Sequence, residues 1–144
     1  MIYTDSSVIF SVHGKDANTL AAVRLLESAP TPFLLSPLCE VEFANALGLR
    51  LFRKEILPAQ AQASIDKLEG HIRNGVYKLV PFPEGAFDRA KTLALSLTPA
   101  IGVRSADLLH VAAALELGAE ALYTFDRKQH AAASAAGLAV NPLA

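Results

Sequence analysis

The sequence predicts an α/β protein, a three-layer α/β/α sandwich around a mainly parallel central sheet. Two observations predict it. Short apolar runs that suit buried strands alternate with longer segments of helical periodicity, and prolines, glycines and capping residues mark the boundaries. The chain has 144 residues, of which 52% are hydrophobic and 19% charged, so we expect a single domain over residues 1–144 with a closed core.

The first half of the chain predicts alternating strands and helices. Pro30 and Pro32 end one helix, Ser36 caps the next, and Pro37 and Pro58 each open one. In order, we predict a strand at 2–4, one or two helical turns at 6–12, a helix at 16–28, a strand at 33–35, a helix from 37 to about 53, a helix from 58 until the glycine at 75, and a strand at 77–80.

The second half continues the alternation. Gly118 and Gly137 follow helical segments and are typical helix stops. In order, we predict a helix at about 84–97, a loop at 98–102, a helix at 105–117, a strand at 122–124, an alanine-rich helix at 127–136, and a last edge strand at 138–140.

Four acidic residues lie far apart in the chain, and each follows a strand-like run or lies near the start of a predicted helix. They are Asp5, Glu42, Asp107 and Asp126. In an open α/β sheet, side chains at the carboxyl ends of the strands converge on one crevice. Carboxylates gathered there favour Mg²⁺ or Mn²⁺. The pattern therefore indicates one site for a hard cation.

A structural role also explains three of these acids, since acidic residues at helix starts cap free N–H groups and complement the helix dipole. Glu42 differs because it lies about two turns into its helix, on an apolar stripe, where a charge needs a cation or a basic partner. Arg53 or another arginine is the simpler alternative partner. Glu40 lies in the first turn, where the dipole explains it, and Asn45 is one turn after Glu42, where it could orient the carboxylate or a metal-bound water.

The composition excludes several classes of protein. The net charge of −1 does not favour nucleic-acid binding, so a basic surface would have to be local. No apolar run is long enough for a membrane span and no leader precedes residue 5, so we expect a cytoplasmic protein. Cys39 is the only cysteine, which leaves no intramolecular disulfide and no thiolate cluster, and we expect it in the core. Candidates for a local basic surface are Arg50, Arg53, Lys54, Arg127 and Lys128.

Four segments carry a resemblance to a known family, and they occur in the order and spacing of its motifs. They are Ile2-Tyr3-Thr4-Asp5-Ser6-Ser7, Glu42-Phe43-Ala44-Asn45-Ala46-Leu47, Arg104-Ser105-Ala106-Asp107-Leu108-Leu109-His110-Val111-Ala112-Ala113-Ala114 and Tyr123-Thr124-Phe125-Asp126-Arg127. With these motifs the chain resembles the PIN-domain ribonucleases, and among them the VapC-type toxins of toxin–antitoxin pairs. The match spans nearly the whole chain.

The resemblance implies an endoribonuclease that depends on Mg²⁺ or Mn²⁺ and hydrolyses RNA phosphodiester bonds. Its four acids match Asp5, Glu42, Asp107 and Asp126, of which the first three are the expected metal ligands and the fourth completes the site directly or through water. Further site residues expected from the resemblance and from position are Ser6, Asn45 and Thr124 around the acids, and Arg104 and Arg127 toward the substrate.

Two of the neighbouring residues have simpler explanations. Arg104 lies one turn before Asp107 and would steer phosphate or pair with an acid, and the structural pair is the simpler account. His110 lies one turn after Asp107 and is most simply a packed or capping histidine.

The resemblance also implies partners, namely a second copy of the chain in a homodimer and a cognate antitoxin whose C-terminal segment inserts near the acids. Apolar residues of the hairpin of two helices could supply such a surface or pack against the sheet, and these are Phe52, Leu57, Ile65 and Leu68.

Other functions fit the sequence less well. A haloacid-dehalogenase-like phosphatase needs a second acid two residues after Asp5, and a receiver domain needs paired early acids and a late lysine after a strand. Neither explains Glu42 within a helix. The remaining alternative is a non-catalytic regulatory binding module of the same fold, in which the acids only cap helices and the protein acts through a partner.

Overall fold

A computed structural model describes residues 1–143 as seven helices and five strands. The strands are β1 (Ile2–Thr4), β2 (Phe33–Leu35), β3 (Tyr77–Leu79), β4 (Ala121–Tyr123) and β5 (Ala139–Val140). The helices are α1 (Ser6–Gly14), α2 (Thr19–Glu27), α3 (Pro37–Phe52), α4 (Pro58–Arg73), α5 (Ala86–Ile101), α6 (Ser105–Glu116) and α7 (Arg127–Ala135).

The five strands form one sheet in the order β3-β2-β1-β4-β5, and every neighbouring pair is parallel. The predicted α/β class with a parallel sheet is confirmed, and β5 is an edge strand as expected. From β1 the chain adds β2 and β3 on one side and β4 and β5 on the other. The strand order therefore reverses between β1 and β4, and their carboxyl ends border the crevice where α/β proteins bind ligands.

Two groups of helices pack within themselves, α1 to α4 in one and α5 to α7 in the other. The core between helices and sheet is apolar, and its largest fully buried side chains include Tyr3, Phe33 and Leu122. The inner strands β1 and β2 are buried along their whole length because parallel strands covered by helices have no solvent face, whereas the edge strands β3 and β5 are partly exposed. Cys39 is a free, buried thiol in this core, as predicted.

Helix α5 is longer than predicted. The expected loop at 98–102 is wrong because α5 continues through Pro99 to Ile101 and ends at Gly102, whose φ of 71° is left-handed. A proline within a helix removes one backbone hydrogen bond. Here it falls in the last turn, where Ile101 packs against the core and the glycine supplies the stop.

Helix α2 begins later than predicted, at Thr19 rather than Asp16. A turn takes the place of the first residues, because the Asp16 carboxylate accepts from the N–H of Asn18 at 2.8 Å and the Asp16 N–H donates to the Thr19 hydroxyl at 2.8 Å. Strand β4 ends at Tyr123, one residue earlier than predicted, so Thr124 lies just beyond the sheet. Within residues 1–143 no helix is both long and apolar enough to cross a membrane.

Candidate active site

Asp5 lies directly after the central strand β1 and is the N-cap of α1, accepting from the Val8 N–H at 3.2 Å. The same carboxylate does more than cap. It accepts from the Ser7 hydroxyl at 2.6 Å and, through its other oxygen, from the Thr124 hydroxyl at 2.6 Å. Asp5 is only 2% exposed. Burial raises its pKa above 3.8, although the charge of His110 and these hydrogen bonds oppose the shift.

Asp107 and Asp126 lie near each other at the starts of two helices. Asp126 caps α7 by accepting from the N–H of Gln129 at 2.8 Å, whereas Asp107 lies in the first turn of α6 and is buried. Burial raises the pKa of Asp107, and the charge of Asp126 raises it further while Arg104 lowers it. A pair of neighbouring carboxylates of which one is buried favours a counter-charge.

Gln129 connects two of the acids and was missed by sequence reasoning. Its side chain is 1% exposed, and with the amide turned to suit its neighbours its nitrogen donates to Asp5 at 3.2 Å and to Asp107 at 3.3 Å. This orientation is assigned from the hydrogen-bond network, because the opposite one faces oxygen with oxygen. The sequence does place the Gln129 amide three residues after Asp126. In an alanine-rich helix, however, a single glutamine is usually a solvent-exposed polar residue.

Glu42 on α3 has a partner, and the partner is a histidine rather than an arginine. Its carboxylate accepts from the Ser6 hydroxyl at 3.2 Å and is paired with Nε2 of His110. Burial opposes ionisation of Glu42, but the hydrogen bond and charge of His110, with Ser6, lower its pKa. The predicted alternative of Arg53 as the partner is therefore replaced by His110.

His110 is the middle member of a buried relay. It is 1% exposed, its Nδ1 atom lies 2.8 Å from the Tyr3 hydroxyl, and that hydroxyl lies 2.8 Å from the Ser36 hydroxyl. Burial disfavours the imidazolium, but hydrogen bonds with Cys39 and Glu42 and the charge of Asp5 raise the pKa of His110 to about 10. Through Tyr3, this chain of hydrogen bonds anchors Glu42 to strand β1, which leads directly into Asp5.

Three hydroxyl groups donate hydrogen bonds to the carboxylates of Asp5 and Glu42. Ser6 serves Glu42, whereas Ser7 donates to Asp5 and accepts from the N–H of Phe125 at 2.9 Å. Thr124 donates to Asp5 and accepts from the N–H of Asp126 at 3.0 Å. Thr124 is itself held by Asn141, whose amide oxygen accepts from the Thr124 N–H at 2.8 Å.

Asn45 differs from these groups because it is exposed, and within residues 1–143 no hydrogen bond joins it to Glu42. A contact from Asn45 to a bound water stays a prediction.

Arg104 brings positive charge to the acids. Its Nε lies 3.1 Å from Asp107 and its terminal nitrogen 3.8 Å from Asp126, and the side chain is 78% exposed. Both sequence interpretations of Arg104 are compatible with this position, because an exposed guanidinium that pairs with two acids can also meet a phosphate. Arg127 is exposed at the first residue of α7, beside Asp126.

The donor chemistry fits a hard dication. The carboxyl groups supply oxygen alone, the two most buried have raised pKa values, and the hydroxyl and amide donors hold them in place. In the arrangement described for residues 1–143, no three His, Cys, Asp or Glu side chains stand close enough together to hold a metal. Asp5, Glu42 and Asp107 would therefore have to draw together, with Arg104 giving way.

Fold and site together define a class, an α/β domain with acidic side chains collected where its parallel sheet reverses strand order. A family comparison gives that class its name. The model of the PIN domain matches residues 2–135, so the chain belongs to the PIN domain family. Among curated protein sequences none matches the chain significantly.

Solved structures share this fold. VapC20 of Mycobacterium tuberculosis, a toxin that cleaves the sarcin–ricin loop, is 20% identical with 96% of each chain covered and a TM-score of 0.70. FitAcB of Neisseria gonorrhoeae is 20% identical over 97% of this chain and 96% of that one, with a TM-score of 0.67. VapBC2 of Rickettsia felis, bound to a DNA fragment from its promoter, is 16% identical over 98% of each chain, with a TM-score of 0.66.

Proposed function

We propose that this chain is a metal-dependent endoribonuclease that uses Mg²⁺ or Mn²⁺, and that it is the toxin of a toxin–antitoxin pair. One observation carries the proposal. Two buried carboxyl groups with raised pKa values, Asp5 and Asp107, lie at the reversal point of the sheet and share one amide donor, Gln129. Burying carboxylates together is costly unless a cation compensates them, so such an arrangement favours a binding role over a structural one.

Each acid has a part in the proposed reaction. Asp5, Glu42 and Asp107 hold the dication, and Asp126 completes the site directly or through water. When bound, the cation supplies an activated water and neutralises charge at the scissile phosphate. His110 keeps Glu42 ionised and oriented, while Thr124 and Ser7 fix the direction of the Asp5 carboxylate.

Arg104 has a separate role on the substrate side of the acids. Its guanidinium is exposed beside Asp107 and Asp126, where a phosphate of the RNA would meet it. Arg127, exposed at the start of α7, is the second proposed contact to the substrate.

The alternative is the non-catalytic binding module, and one observation favours it. Asp5 and Asp126 do cap α1 and α7 with good hydrogen bonds. Capping does not account for Glu42, which lies beyond the first turn of α3, or for the second oxygen of Asp5, which faces Thr124 and Gln129. The nuclease explains more of the site.

The proposed partners are RNA as substrate, a second copy of the chain and a cognate antitoxin. A toxin–antitoxin complex from Klebsiella pneumoniae with a similar fold supports the antitoxin. Of the hairpin residues, Leu68 is buried and Ile65 packs against the core, whereas Phe52 and Leu57 are 84% and 67% exposed. Only these last two remain available to a partner. We further propose that the protein acts in the cytoplasm.

The decisive experiment incubates the purified chain with a panel of structured RNAs, including tRNA and a sarcin–ricin stem-loop, in Mg²⁺ or Mn²⁺. Asp5→Asn and EDTA are the negative controls. Asp88→Asn is the matched control, because Asp88 is also an acid in a first helical turn but lies exposed on α5. We expect cleavage by the unaltered chain and by Asp88→Asn, and none with Asp5→Asn or EDTA.

Thermal unfolding decides between the two functions when no RNA is cut. A metal that binds only the folded chain raises its melting temperature. We expect Mn²⁺ to stabilise the unaltered chain and Asp88→Asn but not Asp5→Asn. A melting temperature that does not respond to millimolar Mn²⁺, together with intact RNA, would favour the binding module.

A further inference from the structure

Phe125 is an aromatic side chain without a place in the core. It lies between Thr124 and Asp126, is half-buried, and does not belong to the hydrophobic cluster or to the residues packed against it, whereas its neighbour Tyr123 does pack there. Within residues 1–143 no aromatic ring contacts it. Core packing therefore does not explain a large apolar ring beside an acid of the site.

Two cavities meet at Phe125. The first, of about 390 Å³, is bordered by Glu42 and Asp126, and the second, of about 410 Å³, by Leu25 and Arg127. Phe125 and Asn18 line both. Asn18 is exposed, and in the described part of the chain its side-chain amide has no hydrogen-bond partner. We call the first cavity the Phe125 recess. It joins an aromatic ring and an unpaired amide directly to the acids.

The position of Phe125 is coupled to the acids. Its N–H donates to the Ser7 hydroxyl at 2.9 Å, and the same hydroxyl donates to Asp5 at 2.6 Å. On its other side, the N–H of Asp126 donates to Thr124, which in turn donates to Asp5. The backbone that carries the ring is therefore held at a fixed place relative to the carboxylates, which a group that positions a substrate requires.

The charges that border the Phe125 recess determine which class of ligand it can bind. Carboxylates border it, namely Asp16, Glu42 and Asp126, so a phosphate is disfavoured and a neutral group is favoured. A nucleobase is neutral and planar, stacks on an aromatic ring, and has edge groups that an amide can both donate to and accept from. A base paired within a duplex is stacked on both faces and cannot enter.

We propose that the Phe125 recess binds one unpaired nucleobase next to the scissile phosphate, stacked on Phe125 with its edge toward Asn18. This rests on the proposed nuclease function and deepens it, since it makes RNA with an unpaired nucleotide at the cleavage site the substrate class. Asn18 then contributes the preference among bases.

The test measures RNA binding apart from cleavage, by fluorescence anisotropy in the Asp5→Asn background. Phe125→Leu keeps an apolar side chain without the ring, and Phe125→Trp restores an aromatic face. Phe87→Leu is the matched control, because Phe87 is an exposed ring on α5 that does not line the recess. We expect Phe125→Leu to weaken binding of single-stranded RNA by about 10-fold, and Phe125→Trp and Phe87→Leu to leave it near the starting value.

An abasic nucleotide locates the stacked base. A series of RNAs carries one abasic nucleotide at successive positions. In the chain with Phe125, we expect one position next to the cut at which the abasic nucleotide weakens binding relative to the intact RNA. In Phe125→Leu, we expect the abasic and intact RNAs to bind with the same affinity at that position. A structural role for Phe125 would not produce this position-specific coupling. Asn18→Ala, tested on RNAs that differ at that position, is expected to reduce discrimination among bases.

Each outcome has a separate meaning. If the metal-loaded chain with Asp5 intact cleaves RNA, and Phe125→Leu changes neither that cleavage nor the binding, the stacked base is refuted and the nuclease stands. Binding of duplex RNA as sensitive to Phe125→Leu as that of single strands would also refute it. If the chain neither binds nor cleaves any RNA, the proposed function fails first and this inference fails with it.

Discussion

His110 on α6 and Glu42 on α3 form a pair in which the Nε2 atom of the buried histidine meets a half-buried carboxylate. We predict that the two side chains stabilise each other, because removing either leaves the other without its hydrogen-bonded counter-charge. In a double-mutant cycle with His110→Gln and Glu42→Gln, measured by urea unfolding in EDTA, we expect a coupling free energy of about 1–3 kcal/mol.

The control for that cycle is the pair of Arg89 and Glu116, whose nearest atoms lie 2.8 Å apart. Its carboxylate is as exposed as that of Glu42, but its basic side chain is 45% exposed whereas that of His110 is 1% exposed. Exposed ion pairs usually contribute less than about 1 kcal/mol, so we expect a smaller coupling there. Equal coupling in the two cycles would mean that burial of His110 adds nothing to its interaction with Glu42.

The need of Glu42 for a partner could be predicted from the sequence, but the partner could not. The helical spacing placed the Glu42 carboxylate on an apolar stripe. Because burying a charge is costly, a cation or a basic side chain had to lie next to it. Which group meets it depends on how α3 and α6 lie against the sheet, a relation between residues 68 positions apart that no local pattern contains.

The fold was easier to predict than the surroundings of the acids, because strand and helix periods are local. The surroundings of the acids depend on the order of the strands in the sheet. That order brings the ends of β1 and β4 together, so Thr124 reaches Asp5 across 119 positions and the cap at Asp126 turns Gln129 inward. The predicted end of α5 was wrong because the helix continues through Pro99 to Ile101, whose side chain packs against the core, and this packing is not visible in the local sequence.

Gln129 is predicted to hold the carboxylates of Asp5 and Asp107 in position relative to each other. Gln129→Met removes the amide that donates to Asp5 and Asp107 while keeping a similar shape, and we expect the metal-free chain to lose about 1–3 kcal/mol of stability. Affinity for Mn²⁺ should fall about 10-fold or more, because groups that orient ligands commonly carry effects of that size. Urea unfolding in EDTA and Mn²⁺ titration of the melting temperature measure the two effects.

Two variants sharpen the test of Gln129. Gln129→Glu adds a further carboxylate at the same place and should be the least stable variant in EDTA, with Mn²⁺ recovering part of the loss. Gln62→Met is the control, since Gln62 is exposed on α4 and, within residues 1–143, its side chain bonds only to Asp66. If Gln129→Met and Gln62→Met behave alike, Gln129 has no role at the acids.

Arg104 is predicted to oppose the metal and favour the RNA. Arg104→Met removes a positive charge about 3–4 Å from Asp107 and Asp126, which should tighten Mn²⁺ binding several-fold, since two charges about 4 Å apart in water interact by about 1 kcal/mol. The same change should raise KM for RNA because a phosphate contact is lost. Isothermal titration and cleavage kinetics measure the two effects.

The matched control for Arg104 is Arg89→Met, which removes an arginine paired with Glu116 on another surface of the helices. It should change neither Mn²⁺ affinity nor KM. Weaker Mn²⁺ binding in Arg104→Met would contradict the prediction and would indicate that the guanidinium organises the acids instead of competing for them. Stability should change by less than about 1 kcal/mol, as the Arg104 side chain is 78% exposed.

His13 is predicted to make stability depend on pH independently of the acids. It is 4% exposed, its Nε2 lies 3.0 Å from the Tyr77 hydroxyl, and within residues 1–143 its Nδ1 has no partner. Burial, with the charges of His71 and Lys67, lowers the pKa of His13 to about 3 from 6.5. Between these values the unfolded chain binds more protons than the folded one. This contribution to stability is therefore complete above about pH 6.5 and is lost as the pH falls toward about 3.

The His13→Phe variant isolates that effect, because phenylalanine cannot bind the proton. The lowered pKa corresponds to a slope of up to about 1.4 kcal/mol per pH unit, and urea unfolding from about pH 5 to about pH 7.5 in EDTA measures it. We expect the variant to lose about 1 kcal/mol at pH 7.5, where the Tyr77 hydroxyl is left without its partner, and to show a shallower slope below pH 6.5. Carboxylates titrate equally in both proteins and cancel in the difference, and His71, whose pKa burial also lowers, stays in both. Parallel curves for the two proteins would show that His13 is protonated to the same extent in the folded and unfolded chains.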